Sequence, residues 1–121
     1  MIVGLGNPGD RYASTRHNVG AWVVERASSR WSAVLRRTTL AREGTGRLGA
    51  IPIVLATPLA WMNQSGPAVK TLLDRANLLP DALTVVHDDL DLELGRLRFK
   101  RSGGHGGHKG ILSIITALGT D

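Results

Sequence analysis

The sequence predicts an α/β fold: one domain over residues 1–121, with a mixed, mostly parallel, twisted sheet flanked by helices. Three observations carry this. Short apolar runs alternate with stretches of helical periodicity. The run IPIVLA, residues 51–56, is nearly all apolar, as a strand covered on both faces must be. No repeat, linker or low-complexity segment divides the chain.

Taken in order, residues 1–5 form an apolar run ending in glycines, which predicts a buried first strand. Residues 6–15 are a loop, broken by Pro8 and Gly9. Val19, Trp22, Val23, Ala27 and Trp31 share one helical face, so a helix is expected over residues 18–31. Residues 33–56 read as strands, with turns near residues 43–46 and 49–52. Ser65 suits an N-cap and Pro67 a first turn. The stripe Ala68, Val69, Leu72, Leu73 and Ala76 extends that helix to about residues 79–80. Residues 83–87 form a second buried strand. Residues 96–100, R-L-R-F-K, alternate as a half-exposed strand does. Residues 111–118 are helical, stopped by Gly119.

No apolar stretch approaches a membrane span, and the first residues lack the pattern of a signal peptide. The cytoplasm is therefore the expected location, with no membrane partner. Cysteine is absent, which excludes disulfides and thiolate chemistry. The formal net charge is +5, and twelve of the fifteen cations are arginine. Arginine forks match phosphate oxygens, so nucleic acid is a plausible partner. An arginine-rich composition without such a partner is the plain alternative.

Gly4-Leu5-Gly6-Asn7-Pro8-Gly9 matches the dinucleotide pattern G-x-G-x-x-G. Its working context, a helix opening directly on the glycines, is missing. A tight turn is the favoured reading, with Asn7 presented at a strand's C-terminal edge as a third. His17 precedes the first helix, and Asp88 follows the strand over residues 83–87. A carboxylate on one imidazole nitrogen fixes the tautomer and leaves the other nitrogen as a base. Asn63 follows the strongest strand, so Asn7, His17, Asn63 and Asp88 converge on one rim from four segments. His105 and His108 match no established metal spacing, and no metal or other cofactor is expected. The glycine run around them, with Arg96, Arg98, Lys100, Arg101 and Lys109, suits an anion-binding hollow. No G-x-S-x-G elbow occurs, so a hydrolase built here uses water directly.

These residues carry a family likeness. IVGLGNPGDRYASTRHNVGAW (residues 2–22), TPLAWMNQSGPAV (57–69), VVHDDLDLELGRLRFK (85–100) and SGGHGGHKG (102–110) follow the order and spacing of the bacterial-type peptidyl-tRNA hydrolases. The chain resembles that family over essentially its whole length. The resemblance implies hydrolysis of the ester joining a peptide to the terminal ribose of tRNA, by activated water, in a monomer. It implies His17 as catalytic base, Asp88 as its orienting partner, and Asn7 and Asn63 as holders of water and substrate. Tyr12 and Met62 then flank the cleft, and Arg98 and Lys100 meet phosphates at the tRNA acceptor end.

Two departures stand out. The family's asparagine after the second histidine of the glycine run is Lys109 here, which donates hydrogen bonds but cannot accept them. The family also continues through a further strand, another phosphate-contacting arginine and a C-terminal helical part, none of which this chain includes. An RNA-binding relative with weak or no catalysis is therefore the alternative, and a nucleotide-dependent enzyme a third.

Overall fold

The computed structural model describes residues 1–9 and 15–120. Five strands form one sheet in the order β2-β3-β4-β1-β5. They are β1 (Ile2–Gly4), β2 (Arg36–Arg37), β3 (Ala41–Leu48), β4 (Ile51–Pro58) and β5 (Thr84–Val86). β1 lies parallel to both β4 and β5, whereas β2–β3 and β3–β4 are antiparallel. The expected mixed sheet is present, with its parallel pairings gathered around β1.

Helices α1 (Val19–Arg30), α2 (Ser65–Arg75) and α3 (Lys109–Leu118) flank the sheet. Successive β4 residues face opposite sides. Leu55 packs with Val24 of α1 and with Ala33. Ala56 belongs to the other cluster, with Val69, Leu72 and Leu73 of α2 and Ile114 of α3. Leu55 and Leu73 are essentially inaccessible, and burying each contributes about 2 kcal/mol. No described helix is long and apolar enough to cross a membrane.

Two glycines set the approach of α1. A Cβ on Gly4 would lie 2.0 Å from the Gly20 carbonyl oxygen, and one on Gly20 would lie 2.2 Å from that of Val86. The helix backbone therefore rests directly on β1 and β5. Gly4 thus serves helix–strand packing rather than phosphate binding.

Several boundaries differ from expectation. No turn forms at residues 43–46; β3 runs through them. A Cβ on Gly44 would meet the Val34 carbonyl oxygen at 2.4 Å, and one on Gly46 that of Trp31 at 2.8 Å. These glycines admit a crossing backbone, whereas the β3–β4 hairpin turns at Gly49, φ +62°. Ser65 is not the N-cap but the first residue of α2, and its hydroxyl donates to the Met62 carbonyl at 2.9 Å. That helix stops at Arg75 because Asn77 turns left-handed, at φ +56°. The amides of Asn77 and Leu78 then bond back to Asp74 and Leu73.

Residues 96–100 form no strand. Alternation makes a strand only beside a ladder partner, and none of the described strands pairs with them. Leu97 and Phe99 are left 99% and 85% exposed. α3 begins two residues earlier than expected, because Nδ1 of His108 accepts from the amides of Gly110 and Ile111 at 3.1 and 3.3 Å. It ends as expected at Gly119, φ +71°.

Candidate active site

β1 and β4 are neighbours whose following helices pack on opposite faces of the sheet. Their C-terminal ends therefore splay and open a crevice. Asn7 follows β1, and Met62 and Asn63 follow β4. Asp88 lies two residues beyond β5, and His17 enters from the 3-10 turn Arg16–Asn18 that leads into α1. Seating α1 on Gly4 and Gly20 brings its N-terminus to the strand ends.

Asp88 is 5% exposed and has a histidine on each oxygen. Oδ2 lies 2.9 Å from Nδ1 of His17, and Oδ1 lies 2.9 Å from Nε2 of His108. The tautomers follow from the bonds. Nδ1 of His108 accepts two backbone amides, so its proton resides on Nε2 and is donated to Asp88. Nδ1–H of His17 donates to the other oxygen, which leaves Nε2 of His17 with its lone pair. The His17 side chain is 53% exposed, so solvent reaches the ring.

Burial opposes charge on Asp88, but hydrogen bonds from His108 and His17, helped by electrostatic attraction to the two rings, outweigh it. The carboxyl is held below the usual aspartate range. His108 is also shifted down. Burial is the main cause, and the neighbouring His87 and His17 add to it against the pull of Asp88. The His87 ring meets His108 edge-on at 4.7 Å, and its Nδ1–H donates to the Asp88 carbonyl at 2.7 Å. His108 is thus held neutral, which its capping role requires.

The Asn7 loop is clamped by a residue the sequence did not single out. Asn18, 8% exposed, accepts the Asn7 amide at 2.9 Å and donates to its carbonyl at 3.0 Å. A Cβ on Gly6 would strike the Asn18 carboxamide at 2.9 Å. Asn7 Oδ1 accepts the Met62 amide at 2.7 Å, tying β1 to β4 across the crevice. Its Nδ2–H group is then the donor the side chain can offer. Asn18 was legible only as the residue after His17; the spacing to Asn7 that makes it a clamp is tertiary.

The other predicted residues occupy varied positions. Met62 is buried against Leu5 and Gly110, so its side chain supports the crevice from within. Asn63 and Lys109 are exposed and line one groove beside the crevice. Arg98 and Lys100 are exposed in the segment between β5 and α3. Tyr12 lies outside the described residues. His108, weighed in the sequence only as a metal ligand, instead belongs to the Asp88 cluster. His105 stands apart, its Nδ1 accepting the Gly107 amide at 2.9 Å. His17, Asp88 and His108 bring possible ligand atoms within 4.8 Å of one another. Both imidazole nitrogens facing the carboxylate are engaged with it, so a cation there would have to break both bonds.

The family model described as peptidyl-tRNA hydrolase matches residues 1–121. The chain belongs to this family. Among curated relatives, the peptidyl-tRNA hydrolase of Moorella thermoacetica is 50% identical over 121 residues, covering 99% of this chain and 64% of its own length. That of Shouchella clausii is 43% identical over 122 residues, covering 100% and 66%. The crystal structure of peptidyl-tRNA hydrolase from Acinetobacter baumannii superposes with a TM-score of 0.95 at 38% identity, covering 99% of this chain and 62% of that one. The chain thus spans about two thirds of the length of these family members.

Proposed function

We propose that the chain hydrolyses the ester of peptidyl-tRNA. Nε2 of His17 takes a proton from water, and the hydroxide equivalent attacks the ester carbonyl carbon. The Nδ2–H groups of Asn7 and Asn63 offer donors to the oxyanion that forms. Collapse breaks the bond to the ribose oxygen, which receives the proton from the imidazolium. Peptide acid and tRNA leave, and His17 returns to its starting state. Asp88 holds the tautomer and stabilises the charged ring. Arg98 and Lys100 meet tRNA phosphates without reading sequence. The step requires no metal, cofactor or covalent nucleophile, and its substrate arises in translation, which places the activity in the cytoplasm.

The observation that carries this reading is the 2.9 Å contact between Nδ1 of His17 and Asp88, with Nε2 of His17 unengaged by the carboxylate. The test measures peptide release from peptidyl-tRNA by this chain, and by this chain extended with a family C-terminal segment. Turnover should survive chelators and fall by about 10²–10⁴-fold in His17→Ala. Salt-sensitive tRNA binding without ester cleavage by either form would favour the RNA-binding alternative.

A further inference from the structure

The catalytic pair does not fill the site. Beside it lies an open groove of about 530 Å³, lined by Asn63 and Pro67 on one side and by Lys109, Leu112, Thr116 and Ala117 of α3 on the other. Ser113, which also lines it, ties the two helices together: its Oγ accepts the Gly66 amide at 2.8 Å. A Cβ on Gly66 would reach the Ser113 carbonyl oxygen at 2.0 Å, so the walls are fixed in close contact. The groove joins the catalytic cluster at two points. Asn63 directly follows Met62, whose amide donates to Oδ1 of Asn7, and Lys109 directly follows His108, whose Nε2 donates to Asp88.

The lining chemistry is one-sided. Pro67, Leu112 and Ala117 are apolar, Asn63, Ser113 and Thr116 are uncharged, and Lys109 is the single ionisable lining residue among those described. An apolar wall with one cation suits a peptide side chain ending in a carboxylate better than a phosphate chain, which favours open cationic surfaces. We propose that this groove receives the peptide part of the substrate and that Lys109 makes the chain prefer peptides bearing an acidic side chain near the ester. The proposal rests on the esterase reading above and adds to it a substrate class.

The test uses one tRNA carrying short N-acetylated peptides that differ only in Glu, Gln or Lys at the first or second residue from the ester. At one of these positions, kcat/KM for Glu should exceed that for Gln by about threefold to fivefold, the size of a half-exposed ion pair. The excess should reside mainly in KM and shrink with added salt. Lys109→Gln should bring the Glu-to-Gln ratio to about one. Lys109→Glu should favour the Lys peptide, and a negative charge at the start of α3 is compatible with the helix dipole. Equal turnover of all peptides by the unmodified chain overturns the proposal while leaving the esterase reading intact. A ratio unchanged in Lys109→Gln, with weaker binding of uncharged tRNA, would assign Lys109 to phosphate and also overturn it. Cleavage of none of the peptides would sink both readings.

Discussion

Nε2 of His108 lies 2.9 Å from Oδ1 of Asp88, while Nδ1 of the same ring caps α3. One neutral imidazole thus joins the start of a helix to the carboxylate that orients His17. Where α3 begins, and where Lys109 stands, is coupled to the geometry of the proposed base.

Asp88 must accept from two donors at once. An amide has one oxygen, so Asp88→Asn would set its NH₂ group against one imidazole N–H or force a change of tautomer. The expected outcome is a fall in kcat of about 10²–10⁴-fold. Steady-state kinetics on peptidyl-tRNA, with KM little changed, checks it.

Stability should depend on pH through His108. Its folded pKa is depressed, mainly by burial. Below about pH 6.5, the ordinary histidine value, the unfolded chain therefore takes up a proton that the folded chain resists. The stabilising effect is present above that value and is lost as pH falls toward the folded pKa. Melting temperatures should drop from pH 7.5 to 5.5, and the drop should be smaller in His108→Gln. Asp88, depressed in the opposite setting, adds a second loss below about pH 4, as its carboxylate is protonated.

Asn18 and Gly20 hold the site from behind. Asn18→Ala removes two hydrogen bonds to the Asn7 backbone in a nearly buried position. It should cost about 1–3 kcal/mol in denaturant unfolding. Gly20→Ala drives a Cβ into the Val86 carbonyl. It should cost at least about 1–3 kcal/mol and separate His17 from Asp88, so activity falls further than stability alone explains.

Exposed cations between β5 and α3 should act through charge alone. tRNA affinity should fall steeply with salt. Arg98→Ala and Lys100→Ala should each lower the slope of log K against log salt by about one. A slope unchanged in both variants would remove them from the tRNA surface.

Much was legible along the chain. Apolar runs and turn residues marked β1, β4, β5 and α1, since periodicity records which side of a local element meets the core. Asn7, His17, Asn63 and Asp88 stood out as candidates because each follows or precedes such an element, and the structure brings His17 and Asp88 into contact. Where local signals failed, a distant backbone had decided the outcome. Gly44 and Gly46 look like turn residues yet admit residues 31–34 across β3. Residues 96–100 alternate like a strand but have no described ladder partner. The sequence alone determined the order of β1, α1, β4, α2, β5 and α3, the net positive charge and the chemical groups available at the crevice. Only tertiary structure made Asn18 a clamp and His108 the second donor to Asp88. Those roles depend on hydrogen bonds of about 3 Å between segments 11 and 20 residues apart. Such bonds depend on how α1 and α3 seat on the sheet, and that is a packing property no local pattern encodes.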